Sequence, residues 1–328
     1  MTFLIFIIII VLIFDFINGF HDSANSIATV VSTKVLSPIA AVALAATFNF
    51  VAFLLFPLKV AKTIGSGVIN TEIVTLELIA AAVIAAIIWN LITWWLGLPS
   101  SSSHTLVGGL VGAAIAGSGF GSVVYSGVLK IGAFIVIAPV LGMLMSYLIT
   151  IVVIRIVKNR SPFGVDKHFR RIQLLSASAF SLGHGGNDAQ KSMGIIWVAL
   201  YAMGKVPRDS DPALWIVLSC HAAIALGTLF GGWRIVKTMG QKITKLKPFE
   251  GFCAETAGAA TLFMATSLGV PVSTTHTITG AIIGVGATKR ASAVKWGVTT
   301  KIFWAWILTI PVSAIIGALI FFFIKLIV

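Results

Sequence analysis

The sequence predicts an all-α polytopic membrane protein made of two inverted-topology repeats of about five membrane segments each, with broken helices and short, re-entrant-like helices at the centre. Three observations predict it. The 328 residues are 58% hydrophobic and only 10% charged, with a mean hydropathy of +1.04, whereas soluble domains carry about 25% charged residues. So little polar surface cannot coat a soluble globule. The apolar residues fall in runs of about 20, the helix length that crosses a hydrocarbon layer roughly 30 Å thick. Finally, the chain repeats itself.

The duplication is read from three matches in one order. Residues 96–112 (LGLPSSSSHTLVGGLVG) align without a gap on 268–284 (LGVPVSTTHTITGAIIG), with eight of seventeen identical. Gly19-Phe-His-Asp22-Ser-Ala-Asn25-Ser26 aligns on Gly185-Gly-Asn-Asp188-Ala-Gln-Lys191-Ser192, and Lys62-Thr-Ile-Gly65 on Lys237-Thr-Met-Gly240. Residues 1–154 and 172–328 form the two repeats, joined by a basic cytoplasmic linker at 155–171. An odd number of segments per repeat makes the second half enter from the opposite side, which inverts it.

The elements follow from apolar runs bounded by charge, Pro or Gly. Residues 2–33 are too long for one upright crossing and carry the polar run Asn18-Gly-Phe-His-Asp-Ser-Ala-Asn25, so a break is expected there. Spans at 39–58 and 74–97 follow. The segment 100–118 opens on a Ser run and a His, then continues in small residues, and 128–154 completes the half. In the second half, 172–203 is interrupted by Gly183-His-Gly-Gly-Asn-Asp188, where the glycines predict another break. Spans at 213–233 and 250–268, the short segment 273–288 and a last span at 296–324 complete the set. Cys220 and Cys253 lie in or beside apolar stretches without metal-ligand spacing and are expected to be buried small hydrophobes.

A net charge of +13 would suggest nucleic acid for a soluble chain, but its placement explains it otherwise. Fifteen Lys and Arg residues fall in loops on one side and five (Lys59, Lys62, Lys205, Arg208, Lys325) on the other. The rich side is cytoplasmic. The expected location is the cell (inner) membrane, with both termini extracytoplasmic.

Chemistry concentrates in the repeated segments. A carboxylate at mid-bilayer costs about 3 kcal/mol on insertion scales, so Asp22 and Asp188 each require compensation. Their neighbours Asn18, Asn25, Asn187 and Ser192 make oxygen-rich clusters that suit Na⁺, while a carboxylate alone could equally carry H⁺. Glu255, also within an apolar stretch, is a further candidate cation ligand. Ser101-Ser102-Ser103 and Ser273-Thr274-Thr275 sit at the N-termini of short helices, where free N–H groups, the helix dipole and hydroxyl donors make an anion cradle. The competing reading is that these residues only cap their helices. Acids beside an anion require a cation between them, which would couple the two. The residues alone therefore predict a cation-coupled oxyanion carrier.

At these residues the sequence resembles the PiT family of inorganic phosphate transporters. Gly185-Gly186-Asn187-Asp188-Ala189-Gln190-Lys191 fits the family motif fully. Gly19-Phe20-His21-Asp22-Ser23-Ala24-Asn25 departs from it only in His21, where Asn is usual. The Pro-Ser/Thr-His segments match as well, in an order that covers nearly the whole chain, and the short linker is similar to the compact microbial form. The resemblance implies import of inorganic phosphate by symport with Na⁺ or H⁺, by alternating access, without cofactor or enzymatic activity. The phosphate set it implies is Asn25, Ser101, Ser102, Ser103, Thr105, Gln190, Lys191, Ser273, Thr274, Thr275 and Thr277. The cation set is Asn18, Asp22, Asn187, Asp188, Ser192 and Glu255, with Na⁺ at Asp22 and Asp188. Lys191 either contacts the anion or pairs with an acid. The partners are phosphate, the coupling ion and lipid, not nucleic acid; a second copy of the chain is a further candidate.

Other readings stay open at this point: H⁺-coupled or metal-phosphate symport, or another oxyanion such as sulfate. His21, His104, His184 and His276 raise an intramembrane metal-dependent enzyme or a divalent-metal transporter, but none is read as lying at i, i+4 from another ligand, and none lies in a His-Glu-x-x-His motif. A channel would not concentrate its solute.

Overall fold

The computed structural model describes residues 1–207 and 210–327, most of them helical. Arg208, counted above on the poorer side, lies outside the described residues. The first half supplies α1 (Thr2–Ser32), α2 (Pro38–Val51), α3 (Lys59–Gly67), α4 (Leu76–Leu96), α5 (Ser102–Ser118) and α6 (Tyr125–Val157). The second supplies α7 (Pro162–Ala202), α8 (Leu214–Phe230), α9 (Trp233–Lys237), α10 (Pro248–Ser267), α11 (Thr274–Lys289) and α12 (Trp296–Ile327). One order of helices thus occurs twice. In each half a bent pair follows the long first helix, turning by 84° from α2 to α3 and by 62° from α8 to α9. Packing repeats too: α5 lies on α12 as α11 lies on α6. The basic segment 155–171 is mostly helix, since α6 reaches Val157 and α7 starts at Pro162, capped by Ser161.

Among the described residues, α1, α4, α6 and α12 are long and apolar enough to cross a membrane, and each bent pair can make one further span. Exposed apolar residues recur at helical spacing, as in Ile5, Ile9 and Ile13 on α1, Leu144, Leu148 and Val152 on α6, and Ile315, Leu319 and Phe322 on α12. Such continuous apolar faces suit lipid. The segments 100–118, 172–203, 250–268 and 273–288, expected as spans, do not meet the same criterion. Neighbouring helices bury most of α5, α10, α11 and the central part of α7. Protein rather than lipid surrounds them, so their composition is freed from the demand for an apolar surface.

The expected breaks in the first helix of each half are absent. α1 is continuous through 18–25 and α7 through 183–188. Magnitudes explain it: a glycine in a helix interior costs about 1 kcal/mol relative to Ala, whereas each backbone group left unpaired in a membrane interior costs several. The glycines instead admit close neighbours. A Cβ at Gly19 would run into the main chain of Ile224, one at Gly185 into that of Asn49, and one at Gly194 into that of Ala61. This is the small-residue packing of membrane helices.

Besides the bent pairs, breaks occur at the duplicated Leu-Gly-x-Pro segments. Gly97 (φ 66°) and Gly269 (φ 70°), 172 positions apart, both adopt the left-handed conformation, which glycine enters without a side-chain clash. The chain then runs non-helically to Ser101 and Ser273, which cap α5 and α11. At about 1.5 Å per residue these helices are roughly 25 Å long, short of a full crossing.

Two apolar cores result. One takes the N-terminal part of α1 up to Phe14 and the C-terminal part of α7 from Ala189, with α3, α4, α5 and α8. The other takes α1 from Ala24 and α7 up to Phe180, with α2, α9, α10 and α11. Between them lies a polar layer on α1 and α7. Cys220 and Cys253 are free and buried, as expected.

The close packing is directly testable. A Cβ at Gly112 of α5 would run into the main chain of Ala314 on α12, while Gly132 of α6 faces open space. Gly112→Val is expected to lower the melting temperature in detergent and the yield of folded protein. Gly132→Ala should leave stability unchanged or raise it by up to about 1 kcal/mol. Equal melting of the two variants would contradict this packing.

Candidate functional site

The polar layer forms because α1 and α7 bring their repeated acids together. One ligand atom each from Asp22, His184 and Asp188 lies within 4.8 Å of the others, and all three residues are buried. Asp22 Oδ1 is 2.6 Å from His21 Nδ1. Ser102 Oγ lies 3.0 Å from Asp22 Oδ2 and 2.6 Å from Asn18 Oδ1. Asp188 Oδ2 accepts from Thr274 Oγ1 at 3.2 Å and lies 3.2 Å from His184 Nε2. The Lys191 ammonium, only 2% exposed, donates to Asp188 Oδ1, to Ser103 Oγ and, at 3.1 Å, to the main-chain oxygen of Val272.

The repeat is visible in these partners. Each acid meets the hydroxyl that opens the short helix of its own half, Ser102 for Asp22 and Thr274 for Asp188. Three residues further on, the partners cross over: Asn25 of α1 donates to Thr275 at 2.9 Å and to Thr274 at 3.3 Å on α11, and Lys191 of α7 reaches Ser103 on α5. The two helix N-termini and the two acids therefore share one cluster. Here the hydroxyls expected for an anion and the carboxylates expected for a cation are direct neighbours.

Other expected residues are placed differently. Ser101 and Ser273 accept from the N–H groups of His104 and His276 at 3.3 and 3.2 Å, so the capping reading holds for these two hydroxyls. Thr105 and Thr277 bond to the main chain of their own first turns, at Ser102 and Ser273. Gln190 secures the start of α3, accepting from Val60 N at 3.0 Å and donating to Pro57 O at 3.1 Å. Asn187 donates to Thr266 at 2.9 Å near the end of α10. His21, its counterpart in the first half, lies 3.2 Å from Thr93 near the end of α4, so the departure from Asn keeps the same kind of contact. Glu255 sits apart from the central acids and accepts from Thr29 at 2.6 Å, Gln173 at 2.9 Å and Ser176 at 2.5 Å. Ser192 Oγ is buried without a hydrogen-bond partner.

Sequence reasoning left His184 and Asn49 out of the site. His184 precedes Asp188 by one helical turn, a spacing that puts both on one face, so the expectation that no histidine stands at i, i+4 from another ligand does not hold. Asn49 Oδ1 accepts from His184 Nδ1 at 3.1 Å, and Asn49 Nδ2 donates to Thr228 at 2.9 Å. Nothing in the sequence around it marks this contact from α2. The duplicated His104 and His276 pack on each other with ring centroids 4.9 Å apart, and His276 stacks on Trp306 at 3.9 Å.

What the cluster can do is hold small ions. Asn25 Oδ1 and Asn187 Oδ1 are buried acceptors without partners, and the carboxylates add charge, so cations can be held beside two helix N-termini that favour anions.

Comparison with known proteins places the chain in a family. A probable low-affinity inorganic phosphate transporter of Rhizobium meliloti strain 1021 is 57% identical over 97% of this chain and 96% of its own length. A protein of the same description from Bacillus subtilis strain 168 is 45% identical over 98% and 97%. A solved structure of a sodium-dependent phosphate transporter covers 100% of both chains with a TM-score of 0.89 at 28% identity. The model of the PHO4 phosphate transporter family matches residues 18–317, so the chain belongs to that family, a multi-pass membrane transporter and not an enzyme.

Proposed function

We propose that the chain imports inorganic phosphate by symport with a cation, Na⁺ first among the candidates, by alternating access of two inverted halves. The observation that carries this reading is the meeting of Asp22 and Asp188 with the hydroxyl-bearing N-termini of α5 and α11. The names of the relatives support phosphate as substrate, and the sodium dependence in the name of the solved homologue supports the ion.

The coupling follows from charge. With both acids ionised, Lys191 leaves the cluster one negative charge in excess. A phosphate oxygen about 5 Å from a carboxylate would be repelled by roughly 3 kcal/mol at an effective dielectric of about 20, close to a hundredfold in affinity. A cation bound at the acids reverses the sign. Phosphate would then lie between Ser102, Ser103, Thr274 and Thr275, with Asn25 and Lys191 as further donors, and would enter only with its cation. The richer basic side would face the cytoplasm, with both termini outside.

A second reading is favoured by one observation. Asp22, His184 and Asp188 together offer a nitrogen and two carboxylate oxygens within 4.8 Å, a donor set that also suits a divalent cation. Phosphate would then travel as a metal complex, with H⁺ as the driving ion.

Two experiments separate these readings. Proteoliposomes holding the purified chain should accumulate labelled phosphate under an inward Na⁺ gradient without divalent metal. Accumulation that ignores Na⁺ but needs Mg²⁺ and an inward pH gradient would favour the metal complex instead. In the same vesicles Asp22→Asn should abolish dependence on the cation gradient. Lys191→Gln should raise the phosphate KM by about tenfold or more, as loss of a charged donor implies. An Asp22→Asn variant that still concentrates phosphate in proportion to the gradient would remove Asp22 from the coupling site.

A further inference from the structure

The polar face of α1 does not end at the central cluster. Asp15, Asn18, Asp22, Asn25 and Thr29 are spaced three and four residues apart, so they share one face of the helix. All five are buried. At about 1.5 Å per residue the stripe is roughly 21 Å long. At one end Thr29 meets Glu255, whose oxygens are filled by three donors. In the middle Asn18, Asp22 and Asn25 have the partners described above.

Asp15 is different. It is 0% exposed, and neither carboxylate oxygen has a hydrogen-bond partner. The Ser192 hydroxyl of α7 and the Cys220 thiol of α8 are within reach of Asp15, and the charges of Asp188 and Lys191 act on it. Ser192 Oγ is itself buried and unpartnered. Two carboxylate oxygens and a hydroxyl thus converge, with Ser192 and Cys220 within reach of the acid but neither bonded to it at ordinary hydrogen-bond distance and angle. A buried carboxylate in that condition is costly, and its charge rejects an anion. The position lies two turns, about 10 Å, from Asp22 toward the N-terminal end of α1.

We propose that Asp15 and Ser192 form a further binding position for the coupling cation, Na⁺ or H⁺, two turns from the central pair at the opposite end of the polar stripe from Glu255. This rests on the symport reading above. The ion would meet Asp15 before or after it occupies Asp22 and Asp188, which adds one cation-binding step to the cycle without touching phosphate.

The test uses the full chain in proteoliposomes. Initial rates of labelled phosphate uptake are measured against Na⁺ at fixed pH, and against pH without Na⁺, for the wild type, Asp15→Asn, Asp15→Glu and Ser192→Ala. Asp15→Asn keeps the shape of the side chain and removes only the charge. It is expected to raise the half-saturating concentration of one cation by about tenfold and to lower the steepness of that curve, with the phosphate KM at saturating cation unchanged. Ser192→Ala should shift the same curve less, and Asp15→Glu should retain cation dependence. A shift confined to the Na⁺ curve assigns Na⁺ to the position; one confined to the pH curve assigns H⁺. Unchanged curves in both Asp15→Asn and Ser192→Ala would overturn the proposal while leaving symport intact. A wild type without any cation dependence would overturn both.

Discussion

Two like-charged carboxylates held together inside an apolar molecule set the terms for the rest of the structure. Asp22 and Asp188 repel each other most strongly where water is absent, and each needs donors that lipid cannot supply. The donors come from α1, α7, α5 and α11, which therefore carry Asn, Ser, Thr, His and Lys at positions that face one another. Helices of that composition cannot meet lipid along their length. The apolar α4, α6 and α12, the bent pairs and the N-terminal turns of α1 supply the apolar exposed faces. The polar layer thus divides the core in two and dictates which helices lie inside.

The same requirement explains why the long helices stay intact. A break would free backbone groups next to the acids, but side-chain donors already reach both carboxylates from neighbouring helices. Unwinding at Gly183–186 or Gly19 would add unpaired groups without relieving any. Beside the acids the irregular backbone lies instead at the approach to α5 and α11, where Gly97 and Gly269 turn the chain into the interior and leave two N-termini unsatisfied by any preceding turn.

How much of this could be read from residues alone follows from the range of each signal. The membrane class, the duplication and the ends of the spans at 97 and 268 are local patterns, and all were legible; the left-handed turns at Gly97 and Gly269 belong to the structure. The meeting of the two acids was legible only as an inference from the repeat. The continuity of α1 and α7 was not, because polarity and glycine in a helix have two explanations, unwinding or close packing, and only the neighbour decides between them. Ile224 and Asn49 are those neighbours, and no spacing in the sequence connects them to Gly19 and Gly185. The capping role of Ser101 and Ser273 was legible as an alternative, yet a run of three hydroxyls does not reveal which one turns back onto its helix. His184 was legible at one turn from Asp188, because a carboxylate at i, i+4 is as much a ligand as a second histidine would be.

The repeat equates positions but not chemistry, and the difference assigns unequal parts to the two acids in the proposed cycle. Asp188 is paired with Lys191, a fixed cation of its own helix that also contacts Ser103. Asp22 has Asn25 at the matching position, a neutral amide that turns to α11 instead, and its remaining contacts are a histidine and a serine hydroxyl. A carboxylate with a built-in counter-charge has less to gain from a mobile ion than one without. Asp22 is therefore where occupancy by a transported cation changes the local charge most, and Asp188 with Lys191 is where the charge stays nearly constant through the cycle. An anion near both would be repelled chiefly by the first-half acid when its cation is absent, so symmetric scaffolding yields a site whose sensitivity to the ion is concentrated on one side.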